Sequence, residues 1–407
     1  MKFYFPDSQD MISPSYDFLH DEYSPLRVRQ RDDLYAHEAL ATSPYQGLLV
    51  SKSIIDGSVN GAGKYSEPQR RRLYRLGVRD YFRLPNTVTT LGDNGAFNYV
   101  SERVPPVTVA ETIDFYQQCG FDAGVSVDHV ILGYQPGAGL KAPDPDWSER
   151  RSITLDLAAQ FLAAATRTEV VPVGAAQGWS PASYADSVRE LQDMGYTKIA
   201  LGGMVPLKTT QILECLHAID AIRHDTTELH LLGITRVESV EEFAQHGVTS
   251  FDSTSAFRQS FMDDRRNYHT ATGDYVALRV PQVEGNPALK RNILAGVVSQ
   301  RDAIAAERDC LRHLRAYDDD TGSIDKALDA LLTYETVAAA KKTYLPAYQR
   351  LLEDAPWRTC QCRICRTHGI EVAIFRGTER NKRRGFHNLH VLAERLNHHA
   401  LERSTRG

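Results

Sequence analysis

The chain has 407 residues and a mass of 45.6 kDa, with 42% hydrophobic and 24% charged residues, a balance that excludes disordered, fibrous and membrane-embedded classes. No run reaches the roughly 18 apolar residues needed to cross a bilayer, and the opening MKFYFPDSQD has proline and acid where a signal peptide needs an apolar core, so a cytoplasmic protein is expected. The net charge of -5 is uneven: residues 357–407 hold eleven Lys/Arg against four Asp/Glu, a net of +7, leaving -12 on the rest and pointing to a polyanion met at one end.

After an irregular N-terminal segment, short apolar runs alternate with amphipathic stretches. GLLVSKSI, DYFRLPNT, AGVSVDHVIL, EVVPVGAAQG, KIALGGMV, LHLLGIT and TSFDSTS read as strands. PASYADSVRELQDMGY, KTTQILECLHAIDAIRH and SVEEFAQHG, with apolar residues three or four apart, read as helices. Strand and helix recur every roughly 25 to 35 residues, the signature of parallel βαβ units. DYVALRVP near 274–281 brings the strands to about eight, enough to close an α/β (β/α)8 TIM barrel. The competing architecture, an open doubly wound sheet, calls for a glycine-rich phosphate loop after an early strand. GSVNGAGKYS at 57–66 has Ser58 where that motif needs glycine and Tyr65 where it needs Ser or Thr, so it reads as a turn. From Asn286 the sequence is helical, with RNILAGVVSQRDAIAAERDCLRHLRAY and DKALDALLTYETVAAAKKTYLPAYQRLLEDA on either side of the acidic turn DDDTGS. The expected divisions are a barrel over residues 1–285, a helical insertion over 286–356, and a metal-binding subdomain with a closing helix, HNLHVLAERLNHHALER, over 357–407.

Six cysteines, three of them crowded into CQCRIC, argue for a metal site and three buried thiols at Cys119, Cys215 and Cys310 rather than a disulfide framework. Cys360, Cys362 and Cys365 can converge on one tetrahedral ion, for which zinc is the default. Two histidines compete for the fourth place. His368 would close a very tight loop, whereas His387 heads a helix that the site can pin to the cysteine loop, and is favoured. Four protein ligands leave no position for water, so one structural zinc per chain is expected and the chemistry belongs in the barrel.

In a (β/α)8 barrel the working residues stand where strands run out into loops. Conspicuous there are Asp93 in LGDNGAFNY, Asp128 in SVDHVI, Gln177 in GAAQGW, Asp252 in TSFDSTS, and Gly202 and Gly203 of LGGMV. A single strand-end aspartate is more often a loop anchor, but together these residues carry a chemistry. Two aspartates in different surroundings divide labour, one attacking an electrophilic carbon and the other moving the leaving group's proton. An anomeric carbon is the natural electrophile for a carboxylate. A third carboxylate, an amide and glycine N–H groups suit a purine: Asp128 can take the N1–H and N2–H donors of guanine while Gln177 or the Gly203 amide serves O6.

These residues carry a resemblance. CQCRIC followed by HNLHVL resembles the zinc motif of the tRNA-guanine transglycosylase family; GDNGAFN is similar to its S-D-S-G-G-F/Y-Q loop, GAAQGW to its V-Q-G-G strand end, LGGMV to its G-G-L-A-V loop, and GVTSFDSTSAFR to its G-V-D-M-F-D-C-V-x-P-T-R segment. The resemblance runs along about 45–285 and 357–397. It implies a TIM barrel with a zinc subdomain that swaps guanine for a 7-deazaguanine without breaking the nucleic-acid backbone. It further implies Asp252 as nucleophile at C1′, Asp93 as general acid/base, Asp128, Gln177 and Gly203 as readers of the base with Asn94 beside them, and Cys360, Cys362, Cys365 and His387 on zinc.

The departures from the family pattern point to its DNA-acting branch, the 7-deazapurine-in-DNA guanine transglycosylases. The tRNA-gripping P-T-R-x-A-R-N stretch reads STSAFRQSF, with Arg258 the one obvious match to its arginines; the N-terminal T-P-x-F-M-P-V-G-T pattern is absent; the loop from Cys365 to His387 is shorter; and the helical block has no counterpart in the short tRNA enzymes. The expected substrate is guanine in DNA, exchanged for a precursor such as 7-cyano-7-deazaguanine. Flipping a base from a duplex costs a few kcal/mol, and Arg376, Arg380, Lys382, Arg383 and Arg384, beside the zinc ligands, are expected to supply phosphate contacts. RVRQRDD and RRRLYRLGVRDYFR are further candidates, though the latter's arginines can equally coat a helix. The helical block suits either a DNA clamp or a docking face for a partner protein of the same modification system. Two rival readings are an unusual tRNA-acting enzyme and a non-catalytic zinc-bearing subunit; the degraded tRNA motif weighs against the first, the retained Asp93 and Asp252 against the second.

Overall fold

Eight short strands pair in chain order into a closed, wholly parallel barrel: β1 (Lys2–Pro6), β2 (Gly47–Ser51), β3 (Thr89–Asp93), β4 (Ala123–Val125), β5 (Val171–Ala176), β6 (Lys198–Leu201), β7 (Glu228–Leu231) and β8 (Val248–Asp252), with β1 closing on β8. The computed structural model describes residues 1–7, 9–57, 63–136, 142–338, 340 and 342–406. Residues 58–62, the heart of the GSVNGAGKYS turn, lie outside them.

Side chains alternate across each strand. Leu49, Leu91, Val125, Val173, Ala175 and Ala200 form one buried cluster in the barrel interior, with Tyr4, Ala123 and Leu232 packed against it. The other face meets the helices. Tyr116, on the helix Val109–Cys119, lies flat on β3 and β4: a Cβ on Gly92 or on Gly124 would stand 2.2 Å from its ring, so only glycine permits this approach. The outer helices carry local start and stop signals. Thr108 and Glu111 make a capping box ahead of Val109, Ser180 caps Pro181–Met194, and Gly120 and Gly195 end their helices in the left-handed conformation.

Two of the eight expected strands were misplaced. DYFRLPNT is the end of the helix Glu67–Phe82 and the turn at Arg83; its apolar residues continue a helical face with Leu73 and Val78, and the strand begins later, in TTLGD. DYVALRVP lies outside the barrel, in two-residue ladders: β9 (Tyr268–His269) pairs with β10 (Asp274–Tyr275), and β11 (Leu278–Arg279) with β12 (Ile374–Phe375). Its place is taken by β1 in the supposedly irregular start, where buried Phe3 and Phe5 flank the inward Tyr4.

By contacts the chain forms two compact units: Met1–Gln9, Tyr45–Thr254 and His399–Gly407 in one, Asp10–Pro44 and Ser255–His398 in the other. These units are drawn differently from the expected divisions at 285 and 356. The segment 10–44 is tied to the C-terminal half through Asp21, whose largely buried carboxylate pairs with both Arg376 and Arg380. The second unit also holds the expected helices Pro287–Leu294, Gln300–Asp318, Ile324–Val337 and Leu345–Asp354, and the helix Gly377–Arg406 begins in it. Among the described residues no helix is long and apolar enough to cross a membrane.

Candidate active site and metal centre

The parity that points Leu49, Leu91, Ala175 and Ala200 inward brings Ser51, Asp93, Gln177 and Gly202 to the barrel mouth, each two residues further along. On β8 it does the same for Ser250 and then Asp252. All lie at the carboxyl ends of the strands, the face on which such barrels work.

Asp93 is held through one oxygen, Oδ2, which accepts from the Ser51 hydroxyl at 2.6 Å and the Gly95 amide at 2.9 Å. Burial pushes its carboxyl up, the Ser51 hydroxyl opposes that, and the negative charge of Asp252 adds to it. The last effect requires the two acids to feel one another across the mouth. Asp252 is buried, and its Oδ1 accepts from the Gly233 amide at 2.9 Å and faces His230 Nε2 at 3.2 Å. Its Oδ2 has no hydrogen-bond partner among the described residues, the condition in which a carboxylate oxygen is free to attack.

Asp128 leaves the end of β4 and is also buried. Its Oδ2 accepts from Gln177 Nε2 at 2.6 Å. Burial, then the charge of Asp93, raises its pKa to about 7, with the Gln177 amide opposing. Gln177 is oriented from its other end, Oε1 accepting from the Ile131 amide at 3.2 Å. Gly203 sits against the same amide at φ +72°, and a Cβ there would stand 2.4 Å from the Ile131 carbonyl oxygen, so no larger residue fits. Its N–H has no partner among the described residues, as expected of a donor waiting for a ligand. Asp128, Gln177 and Gly203 therefore form one polar patch, and Asp93 and Asp252 come together beside it.

Asn94 departs from expectation. Its amide donates to the Val125 carbonyl at 3.1 Å and to the Tyr116 hydroxyl, and its Oδ1 accepts from Thr112 at 2.8 Å, so it is saturated within the wall and fixes the Asp93 loop instead of reading a base. Ser51, Gly233 and His230 join the site beyond the residues expected from the sequence. Strand alternation through Leu49 points to Ser51, and the single polar residue within the apolar run LHLL points to His230.

Cys360, Cys362, Cys365 and His387 gather with all four ligand atoms within 4.8 Å of one another. The three sulfurs stand 3.6, 3.5 and 3.3 Å from His387 Nδ1. A zinc–sulfur bond of ~2.3 Å and a zinc–nitrogen bond of ~2.0 Å at the tetrahedral angle would put S and N about 3.5 Å apart, so the set fits that metal. His387 Nε2 donates to the His269 carbonyl at 2.8 Å, which leaves Nδ1 bare for a metal. Tyr268 stacks on the His387 ring with centroids 4.3 Å apart and brings its hydroxyl to 3.3 Å from Cys365 Sγ. His368 is instead engaged by Arg383 Nε at 3.2 Å and by the Phe18 ring.

The basic cluster is corrected. Arg376, Arg380, Arg383 and Arg384 are all buried. Arg376 reaches Asp21 and Glu307, Arg380 reaches Glu371 and Asp21, Arg383 pairs with Glu379, and Arg384 donates to the carbonyls of Ser260, Val372 and Ile374. Guanidinium groups so committed cannot reach a phosphate; they weld the second unit together. Lys382 is half-buried and 3.8 Å from Asp10. Arg258 alone of the expected set is exposed, with no ion pair among the described residues. In RVRQRDD, Arg27 and Arg31 are paired with Asp33 and Asp32, and in RRRLYRLGVRDYFR, Arg71 and Arg79 pair with Glu67 and Asp122 along a helix surface.

No family model matches the chain. It is 48% identical over 402 residues, 97% of its own length and 96% of the relative's, to a DNA-guanine transglycosylase of Salmonella montevideo. Identity at that level over nearly the whole of both chains, together with the parallel barrel and the Cys3His cluster, shows that this chain belongs to the DNA-guanine transglycosylase family.

Proposed function

We propose that the enzyme exchanges guanine in DNA for a 7-deazaguanine base through a covalent aspartyl-deoxyribosyl intermediate. The observation that carries the reading is the placement of Asp252, whose Oδ2 is unengaged among the described residues, within electrostatic reach of Asp93, whose carboxyl burial and the Asp252 charge drive toward the protonated form. Asp252 Oδ2 attacks C1′ as the C1′–N9 bond breaks, and Asp93 gives its proton to the departing guanine. The incoming base then returns N9–H to Asp93, bonds to C1′ and displaces Asp252, so protons and bonds balance over the cycle. The ionised Asp128 accepts the N1–H and N2–H donors, and the free Gly203 amide and the remaining Gln177 N–H face O6. Phe97, half-exposed on the turn after Asp93, offers a ring on which a flipped base can stack. Cys360, Cys362, Cys365 and His387 would hold a zinc ion, and with all four positions filled by protein its role would be structural, tying the cysteine loop to the last helix.

The test is release and incorporation of labelled guanine on plasmid DNA and on bulk tRNA, with the wild type and Asp252→Ala. Exchange confined to DNA and lost in D252A by at least roughly 10³-fold supports the reading. Incorporation only into tRNA, or exchange by D252A, would sink it.

A further inference from the structure

We propose that His230 is the positioning residue of the nucleophile, fixing which oxygen of Asp252 attacks and stabilising that carboxylate when it leaves; this rests on the covalent reading above. A lone histidine inside a barrel is commonly no more than a packed core residue. Here both ring nitrogens have directional partners at the reacting centre, Nε2 with Asp252 Oδ1 at 3.2 Å and Nδ1 with Ser250 Oγ at 2.9 Å. A carboxylate can only accept, so Nε2 carries the proton, and Nδ1 then accepts the Ser250 hydroxyl proton. Ser250 and Asp252 are alternate residues of β8, while His230 stands on neighbouring β7, where the ladder pairs it with Ser250. The Tyr4 ring meets the imidazole edge-on, with centroids 5.6 Å apart and planes at 81°, and Thr89 Oγ1 donates to the Tyr4 hydroxyl at 2.9 Å. The imidazole is thus held in both rotation and tautomer.

The consequence is an asymmetric carboxylate. Oδ1 takes two N–H donors, from His230 and from Gly233, and Oδ2 takes none among the described residues. Negative charge leaves Asp252 when the ester forms and returns when the incoming base displaces it. The Nε2–H to Oδ1 bond is strongest to the free carboxylate, so it favours the second half of the exchange, in which Asp252 is the leaving group.

The experiment compares His230→Leu, His230→Gln and Ser250→Ala with the wild type on guanine-containing DNA, with Asp252→Ala as the control. Turnover, KM for the free base, and covalent enzyme–DNA adduct on denaturing gels are read together. H230L should lower kcat by roughly ten- to hundredfold, the size expected when one hydrogen bond to a charged group is lost, leave KM unchanged and raise the adduct fraction. H230Q, which returns an N–H donor toward Asp252, should stand closer to wild type than H230L, and S250A should shift both readouts in the same direction by less. A kcat for H230L within about twofold of wild type, or equal losses in H230L and H230Q with no rise in adduct, overturns the role of His230 while D252A stays inactive. Exchange or adduct in D252A overturns the covalent reading itself.

Discussion

Replacing Asp128 by asparagine should strengthen the fold and weaken the grip on the base. The carboxyl has a pKa of about 7 in the folded barrel, raised first by burial and then by the charge of Asp93, against 3.8 in an unfolded chain. The folded state therefore binds this proton more tightly. Its contribution is fully present below pH 3.8, declines as pH rises between the two values, and is gone above about 7. At 1.36 kcal/mol per pH unit, the raised pKa costs the fold about 4 kcal/mol near pH 8, where the buried carboxyl is ionised, and about 1–2 kcal/mol near pH 5, where folding must first take up the proton, both upper figures. Asparagine carries no such charge and keeps an Oδ1 acceptor for the Gln177 amide, whose 2.6 Å bond is otherwise lost. Urea unfolding of wild type and D128N at those two pH values reads the effect, the Asp128 carboxyl together with its coupling to Asp93 being what differs between the proteins. The stabilisation should grow by about 3 kcal/mol from pH 5 to pH 8, while KM for the free base rises roughly tenfold or more as two charge-assisted bonds are lost. A difference that does not change with pH would refute the buried-charge argument. An unchanged KM would remove Asp128 from base recognition.

The same titration predicts that in the wild type KM for the free base rises as pH falls below about 7, since protonated Asp128 cannot accept two donors; a profile flat across neutrality would contradict it. Arg380→Met should destabilise the protein by about 3–5 kcal/mol, by leaving Asp21 and Glu371 short of a buried partner. It should not alter the slope of log K against log salt for DNA binding, and a slope reduced by about one would restore the phosphate role. Cys362→Ser, or prolonged chelation, should remove stoichiometric zinc and lower the melting temperature together, with activity following the unfolded fraction. Metal analysis beside thermal melts checks this, and an intact protein without bound metal would count against a structural zinc.

Sequence alone determined what depends on local pattern. Cys360, Cys362 and Cys365 bend toward a common point within one turn and helix start, and Asp93, Gln177 and Asp252 end strands whose alternation can be counted from Leu91, Ala175 and Ser250. Which strands close the barrel was decided by pairing between residues far apart. KFYFP becomes a wall strand because β2 and β8 leave one gap to fill, whereas the equally apolar DYVALRVP finds its partners elsewhere. Tertiary structure likewise decided the fate of the arginines. A basic run looks the same whether water or Asp21, Glu307, Glu371 and Glu379 surround it; Glu371 and Glu379 are its sequence neighbours, but Asp21 and Glu307 come from distant parts of the chain. The partners of Asp252 belong to that class too: His230 and the Gly233 amide arrive from the neighbouring strand and the loop beyond it, so the electrostatics of this carboxylate exist only once the barrel is closed.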